Sequence, residues 1–183
     1  MATVSGNVGV ARAGEVYVGP TSAAAPTGTA TALTDFDGLG YLSDDGITEA
    51  RDRSTTNIVA WQNADVVRTL VTEAGMTFTF TMIETKAETV ELYYGTSVTA
   101  SATEGEYVVV PANTGGRKSF VIDTVDGAEL ERVYIPEGEV TEVGELSRVS
   151  GDAVGYEVTV TAYPNVDIAG SAQVWNTRLK TPA

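Results

Sequence analysis

Two acidic runs, Asp35-Phe36-Asp37-Gly38 and Asp44-Asp45-Gly46, have the residue types that begin a calcium loop, because Ca²⁺ draws several oxygens from alternating positions. Neither loop is completed. The twelfth position counted from Asp35 is Gly46, where a bidentate glutamate is needed. Asp before Gly is also turn chemistry, which is the plainer reading of both runs. Thr114-Gly115-Gly116-Arg117-Lys118-Ser119 has the ending of a phosphate loop, but Ala112 and Arg117 stand where its two glycines belong. It reads as a basic β-turn. With 25 Asp and Glu, chance carboxylate pairs are plentiful, so a solvated acidic surface is favoured over an acid/base dyad. Trp61 and Trp175 have the rings to stack on a sugar, yet a lone Trp in a polar segment more often anchors to a neighbouring surface.

The chain of 183 residues has no Cys and no His, which removes thiol and imidazole nucleophiles, disulfides and the ligands zinc prefers. Most familiar enzyme chemistries go with them, and no cofactor or metal is expected. The formal net charge of −14 disfavours binding to phosphate. There are 26 Thr and 25 Val against 8 Leu, and β-branched residues favour the pleated strand. A helical bundle is excluded, and the length fits one mostly β domain. No run reaches the ~18 to 20 apolar residues of a membrane-spanning helix. Met1-Ala2-Thr3-Val4-Ser5 lacks a basic and apolar leader pattern, so the expectation is no membrane insertion and a cytosolic origin.

Those residues must be positioned by strands. Asn7 to Arg12 and Glu15 to Gly19 alternate around Ala13-Gly14 and read as two strands joined by a tight turn. Pro20 to Thr34 is small, polar and uncharged and reads as an extended connector. Leu39 to Leu42 is a short strand candidate, followed by a turn at Ser43 to Gly46. Ile47 to Ala64 is largely polar, with Ile58-Val59-Ala60-Trp61 the exception, and reads as a long loop or projecting hairpin. Met76, Phe78, Phe80 and Met82 alternate with Thr77, Thr79 and Thr81, the clearest core strand. Thr85 and Glu88 match a capping box and Gly95 a left-handed C-terminal residue, predicting one short helix over 86–94. Strands follow over 107–110, 119–125, 128–135, 139–146 and 155–163, with Asp126-Gly127 as a hairpin turn. The organisation expected is N-terminal strands and connector over 1–34, a β-rich domain over 35–165 that includes the long segment 44–65, and a tail over 166–183.

The run Leu39 to Thr48, then Arg51-Asp52-Arg53-Ser54 and Ile58-Val59-Ala60-Trp61, resembles the major tail protein, or tail tube protein, of long-tailed siphovirus-type phages infecting actinobacteria. Val66 to Thr69, Thr79 to Thr85 and Val90 to Gly95 match the same family in the same order. Only residues 39–95 carry the resemblance specifically. It implies a β-sandwich or barrel-like tail tube fold with one flanking helix, and a structural virion protein, without enzyme activity, that polymerises as stacked hexameric rings into a hollow tail tube. The implied partners are further copies of itself, a tape measure protein in the lumen, a tail terminator, and baseplate or initiator proteins. The implied place is the virion, after assembly in the host cytoplasm, with DNA passing through during ejection.

Within that resemblance, the segment from Asp44 to Asp65 is the expected subunit and ring interface. Trp61 and Ile58 would be apolar anchors, and Arg51 and Arg53 would pair with acidic partners on an otherwise negative surface that includes Asp44, Asp45 and Asp52. Two other classes stay open at this point. One is a capsid decoration or adhesin-like β-domain; the other is a carbohydrate-binding module or enzyme with an acidic cleft.

Overall fold

The computed structural model describes residues 8–180; Asn7, with the segment before it, and the last three residues lie outside this range. Ten strands and one helix run in the order β1 (Ala13–Gly19), β2 (Asp37–Gly38), β3 (Leu42–Val59), β4 (Val66–Met82), α1 (Ala87–Tyr94), β5 (Thr99–Ala100), β6 (Gly105–Glu106), β7 (Lys118–Asp126), β8 (Glu129–Val143), β9 (Tyr156–Ala162) and β10 (Gln173–Asn176). The fold is mostly β, as its Thr and Val content requires. One antiparallel sheet has the order β2-β1-β7-β8-β9-β4-β3, with β10 also on β8, while β5 and β6 make a separate small ribbon.

That sheet curls around a single core. Val16 and Val18 of β1, Phe120 and Ile122 of β7, Val133, Ile135 and Val140 of β8, and Val158 and Val160 of β9 meet Phe78, Phe80 and Met82 of β4. The period-2 reading of 76–82 holds: Phe78, Phe80 and Met82 are buried, Met76 at the rim is half-buried, and Thr77, Thr79 and Thr81 face outward, half-buried. The alternation repeats in β9, where Tyr156, Val158, Val160 and Ala162 are buried between Glu157, Thr159 and Thr161.

β8 belongs to both walls of the curl. Its first half pairs with β7 and β10, and its second half, from Gly138 onward, pairs with β9. Gly138 sits at the crossing point, paired with Lys118 on one side and Ala162 on the other. A Cβ there would stand 2.7 Å from the Phe120 ring and 2.9 Å from Val160, so the two walls can close only around a residue without a side chain. The sequence separated 128–135 from 139–146; the structure runs them as one strand through Pro136.

A second, smaller cluster lies on the opposite face of the first wall. Phe36, Val121 and Tyr134 pack there under Ala23, Leu33 and Trp175, so the connector is held to the sheet by small apolar contacts. It is also held by a buried ion pair. Arg132 donates Nε and Nη2 to the two carboxylate oxygens of Asp123, at 2.7 and 2.6 Å, and Nη1 to the carbonyls of Gly28 and Thr31, at 3.1 and 2.7 Å. The hydrogen bonds that Arg132 donates to Asp123 hold the guanidinium pKa above its ordinary value.

Several local expectations change. The turn expected at Ala13-Gly14 is absent, because both residues are in β1 and Gly14 pairs with Thr124. Gly14 serves close approach instead: a Cβ there would lie 3.3 Å from the Asp123 carbonyl and 3.7 Å from Ile47. Ser43 to Gly46 is a bulge inside β3 and not a turn, with Gly46 at φ 72°. The helix starts one residue late, and its N-cap is Lys86 with no side-chain cap; Thr85 bonds the Tyr156 hydroxyl instead, at 3.3 Å. Gly95 closes it in the left-handed conformation, as expected. The β7–β8 turn is Gly127-Ala128, because Asp126 is paired with Glu129. Residues 107–110 form no strand pair, whereas the tail contributes β10.

Two substitutions test this core. Phe80→Ala, at a side chain 2 % exposed, should cost about 3 to 5 kcal/mol in urea unfolding. Gly138→Ala should cost about 1 to 3 kcal/mol by forcing Phe120 aside; an unchanged midpoint would refute the tight crossing.

Candidate functional site

β3 and β4 leave the core together as a two-stranded ribbon. From Asp45 to Val59 the strand spans roughly 50 Å at about 3.4 Å per residue. Beyond Thr48 and before Met76 every residue of the pair is exposed apart from Ala60 at the tip. The tip is a tight loop closed by Ala60 N–H to the Asp65 carbonyl, at 2.8 Å, and Ala64 N–H to the Ala60 carbonyl, at 3.0 Å. The segment expected as a long loop or hairpin is therefore ordered β-ribbon.

Each face of the ribbon is a continuation of one face of the wall beneath it. Residues paired across an antiparallel ladder share a face. The row Ile47, Glu49, Arg51 and Arg53, opposite Phe80, Phe78, Met76 and Ala74, continues the core side outward past the rim. The row Thr48, Ala50, Asp52 and Ser54, opposite Thr79, Thr77, Gly75 and Glu73, continues the outer side. A register shift between Ser54 and Thr55 follows, and nearer the tip both faces carry exposed apolar side chains. Ile58, Val59, Val66, Val67, Leu70 and Val71 are all at least 37 % exposed, and Trp61 is 98 % exposed. So many exposed apolar side chains gathered at one end of a ribbon, on a protein of net charge −14, mark a contact site.

The outer side of the wall β8–β9–β4–β3 is a flat field of hydroxyls and carboxylates. Thr79 meets Thr159 at 2.9 Å, and Thr141 meets Thr161 at 2.8 Å. Cross-strand pairing sets Glu139 beside Thr161, Glu142 beside Thr159 and Glu157 beside Thr81. Among the described residues this wall has two free edges. β3 has only β4 beside it, and β8 beyond Gly138 has only β9.

The expected site residues separate into groups. Arg51, Asp52, Arg53, Ile58 and Trp61 are all on the projecting arm. Asp44 and Asp45 are at its base in the bulge, and Asp44 lines a groove of about 760 Å³ between β1 and β3. Arg51 is already paired with Glu49, through Nε at 2.7 Å and Nη2 at 2.6 Å, but both are solvated and such a pair is weak. Arg53 has no ion pair among the described residues. The second arm of the ribbon was not singled out from sequence, although its Val66-Val67 and Leu70-Val71 pairs were the available signal.

Titration in this chain follows structural contacts. The Val10 backbone N–H, with Arg178 and Arg12, holds the Asp126 carboxyl below the usual carboxylate range. The Thr177 hydroxyl, aided by Lys180, does the same for Glu129. Burial and the hydrogen bond to Glu15 push the Tyr17 hydroxyl up to about 12. Among the described residues no group of three or more acidic side chains could hold a metal ion, and no helix is long and apolar enough to cross a membrane.

A family model described as phage tail tube protein matches residues 1–182. The chain belongs to that family, one of structural tail proteins of the virion and not of enzymes. No curated protein matches it.

Because Trp61 touches so little of its own chain, Trp61→Ala should change the unfolding free energy by less than about 0.5 kcal/mol. A larger loss in thermal or urea melts would mean that the tip packs on the domain.

Proposed function

We propose, from the premise that this chain is a phage tail tube protein, that it closes side by side into hexameric rings and that these stack into the conduit for DNA ejection. The observation that carries the reading is the four-stranded wall β8–β9–β4–β3 with free edges at both ends. A heterologous contact that joins one edge to the opposite edge of the next copy repeats until it closes, and closure removes every exposed edge. Six copies of four strands make a barrel of 24. At 4.8 Å per strand and a tilt of 35 to 45°, its backbone radius is about 22 to 26 Å, which leaves room inside for duplex DNA.

The hydroxyl and carboxylate face suits the bore of such a barrel. It presents Thr77, Thr79, Thr159 and Thr161 with Glu139, Glu142 and Glu157, and no Lys or Arg on those pairs. Phosphate finds no cation to bind and meets a like-charged wall, so DNA passes without adhering. In the assembled tail the same bore holds the tape measure protein. Initiator or baseplate proteins start growth, and a terminator ends it.

The ribbon is then the link between rings. Its length exceeds what the core needs, and its exposed valines, Ile58, Leu70 and Trp61 supply apolar anchors. Nearer the wall, Arg51 and Arg53 add attraction to the negative surface of the adjoining subunit, with Asp44, Asp45 and Asp52 at the same interface.

Electron microscopy of the purified protein, with and without an initiator fraction, tests the assembly. Stacked six-fold rings are expected, and uniform small particles under both conditions would favour a decoration or adhesin-like domain. Trp61→Ala should fold but fail to extend tubes. Arg53→Glu should weaken assembly more at low salt than at high, and equal assembly at low salt would remove Arg53 from the contact.

A further inference from the structure

The run Tyr107-Val108-Val109-Val110 has the composition of a strand and no strand beside it. Its side chains are 37, 67, 49 and 51 % exposed. The backbone N–H and C=O groups of Val108 and Val109 have no partner within the chain among the described residues. A hydrophobic, extended and unpaired segment is a template for another chain. It is also held in place: the Tyr107 ring lies against Tyr94 at 5.2 Å, and Asn113 donates its N–H to the Val110 carbonyl at 2.9 Å.

The position of this segment is specific. It faces a cleft of about 310 Å³ whose other lining includes Leu92, Tyr94 and Val140 to Val143. The second half of β8, with its free edge, therefore overhangs an exposed shelf of valines, and Val143 itself is 51 % exposed there. Two carboxylates, Glu104 and Glu106, immediately precede the shelf in the chain and are exposed. Neither forms an ion pair among the described residues.

We propose that the segment Glu104 to Pro111 is the seat for β3 of a second copy. When the free edge of β3 joins the free edge of β8 in a neighbour, the core-side row of β3 is the row that meets the shelf. Past the rim that row is Glu49, Arg51 and Arg53. The charges are complementary, with two guanidinium groups of one copy against Glu104 and Glu106 of the other, around a dry contact with Val108 to Val110. Arg51 exchanges its solvated partner Glu49 at little cost. The proposal rests on the ring-closing reading above and names the surface that receives it.

Charge exchange tests it. Glu104→Arg with Glu106→Arg should raise the concentration needed for tube growth by about tenfold or more at low salt, because two attractive pairs become repulsive. Adding Arg51→Glu and Arg53→Glu to the same chain should restore growth to near the wild-type concentration, the signature of direct pairing. All four positions are exposed, so the variants should melt with the wild type. Wild-type growth by the Glu104→Arg/Glu106→Arg variant at low salt, or a defect that the reciprocal changes do not relieve, would overturn the seat and leave the tube standing. Wild-type protein that forms no rings or tubes with an initiator fraction present would overturn both.

Discussion

Strand edges must be satisfied, and in this chain one strand decides which edges remain open. β8 is shared between the two walls of the curled sheet, handing its pairing from β7 to β9 at Gly138. The handover leaves its last residues without a neighbour on one side, while the opposite end of the same wall stops at β3. The core, the two-edged wall and the ribbon that grows from it all follow from that division. Had β8 ended at Pro136, the two walls would lose the strand they share, and the free edge of the second wall would pass to β9. The buried Arg132–Asp123 pair on the other wall has a different role, since it holds the connector down over Phe36 and Tyr134. That face is thereby closed to partners.

Surface chemistry divides along the same lines. One face of the β8–β9–β4–β3 wall carries hydroxyls and carboxylates, and the other carries Phe78, Phe80, Val158 and Val160. Both rows are carried outward past the rim, where burial no longer dictates composition. There the core-side row turns from Phe78 and Met76 opposite Glu49 and Arg51 to Ala74 opposite Arg53, so Arg51 and Arg53 stand on the face continuous with the core. An apolar tip follows. On a chain of net charge −14, a positive stretch next to an apolar one is a place where association is favoured, while the rest of the surface repels its copies.

Much of the fold was legible because burial writes a period into sequence. The Phe78, Phe80, Met82 alternation, the left-handed Gly95 and the Tyr156 to Ala162 strand were all readable, since each depends on a side-chain pattern or a single backbone conformation. Ala13-Gly14 and Asp44-Asp45-Gly46 misled because glycine also serves close approach and bulges, and the sequence does not record what stands opposite. The capping box failed for a related reason: the Thr85 hydroxyl has a partner in Tyr156, 71 residues away. The first arm of the ribbon was legible as a contact segment through Trp61 and its arginines. Its second arm and the valine shelf were not, because a β-branched run reads as strand whether its pairing partner lies in the same chain or in another.

The carboxylate of Asp126 brings the two described ends of the chain together. It accepts the Val10 N–H at 3.0 Å and Arg12 Nε at 3.1 Å, and it pairs with Arg178. A Cβ on Gly9 would lie 3.0 Å from Arg178 Nη1. The first and last described segments are therefore pinned together at one corner of the sheet, beside the β7–β8 turn. One carboxylate serves both, so its loss would free the two segments at once.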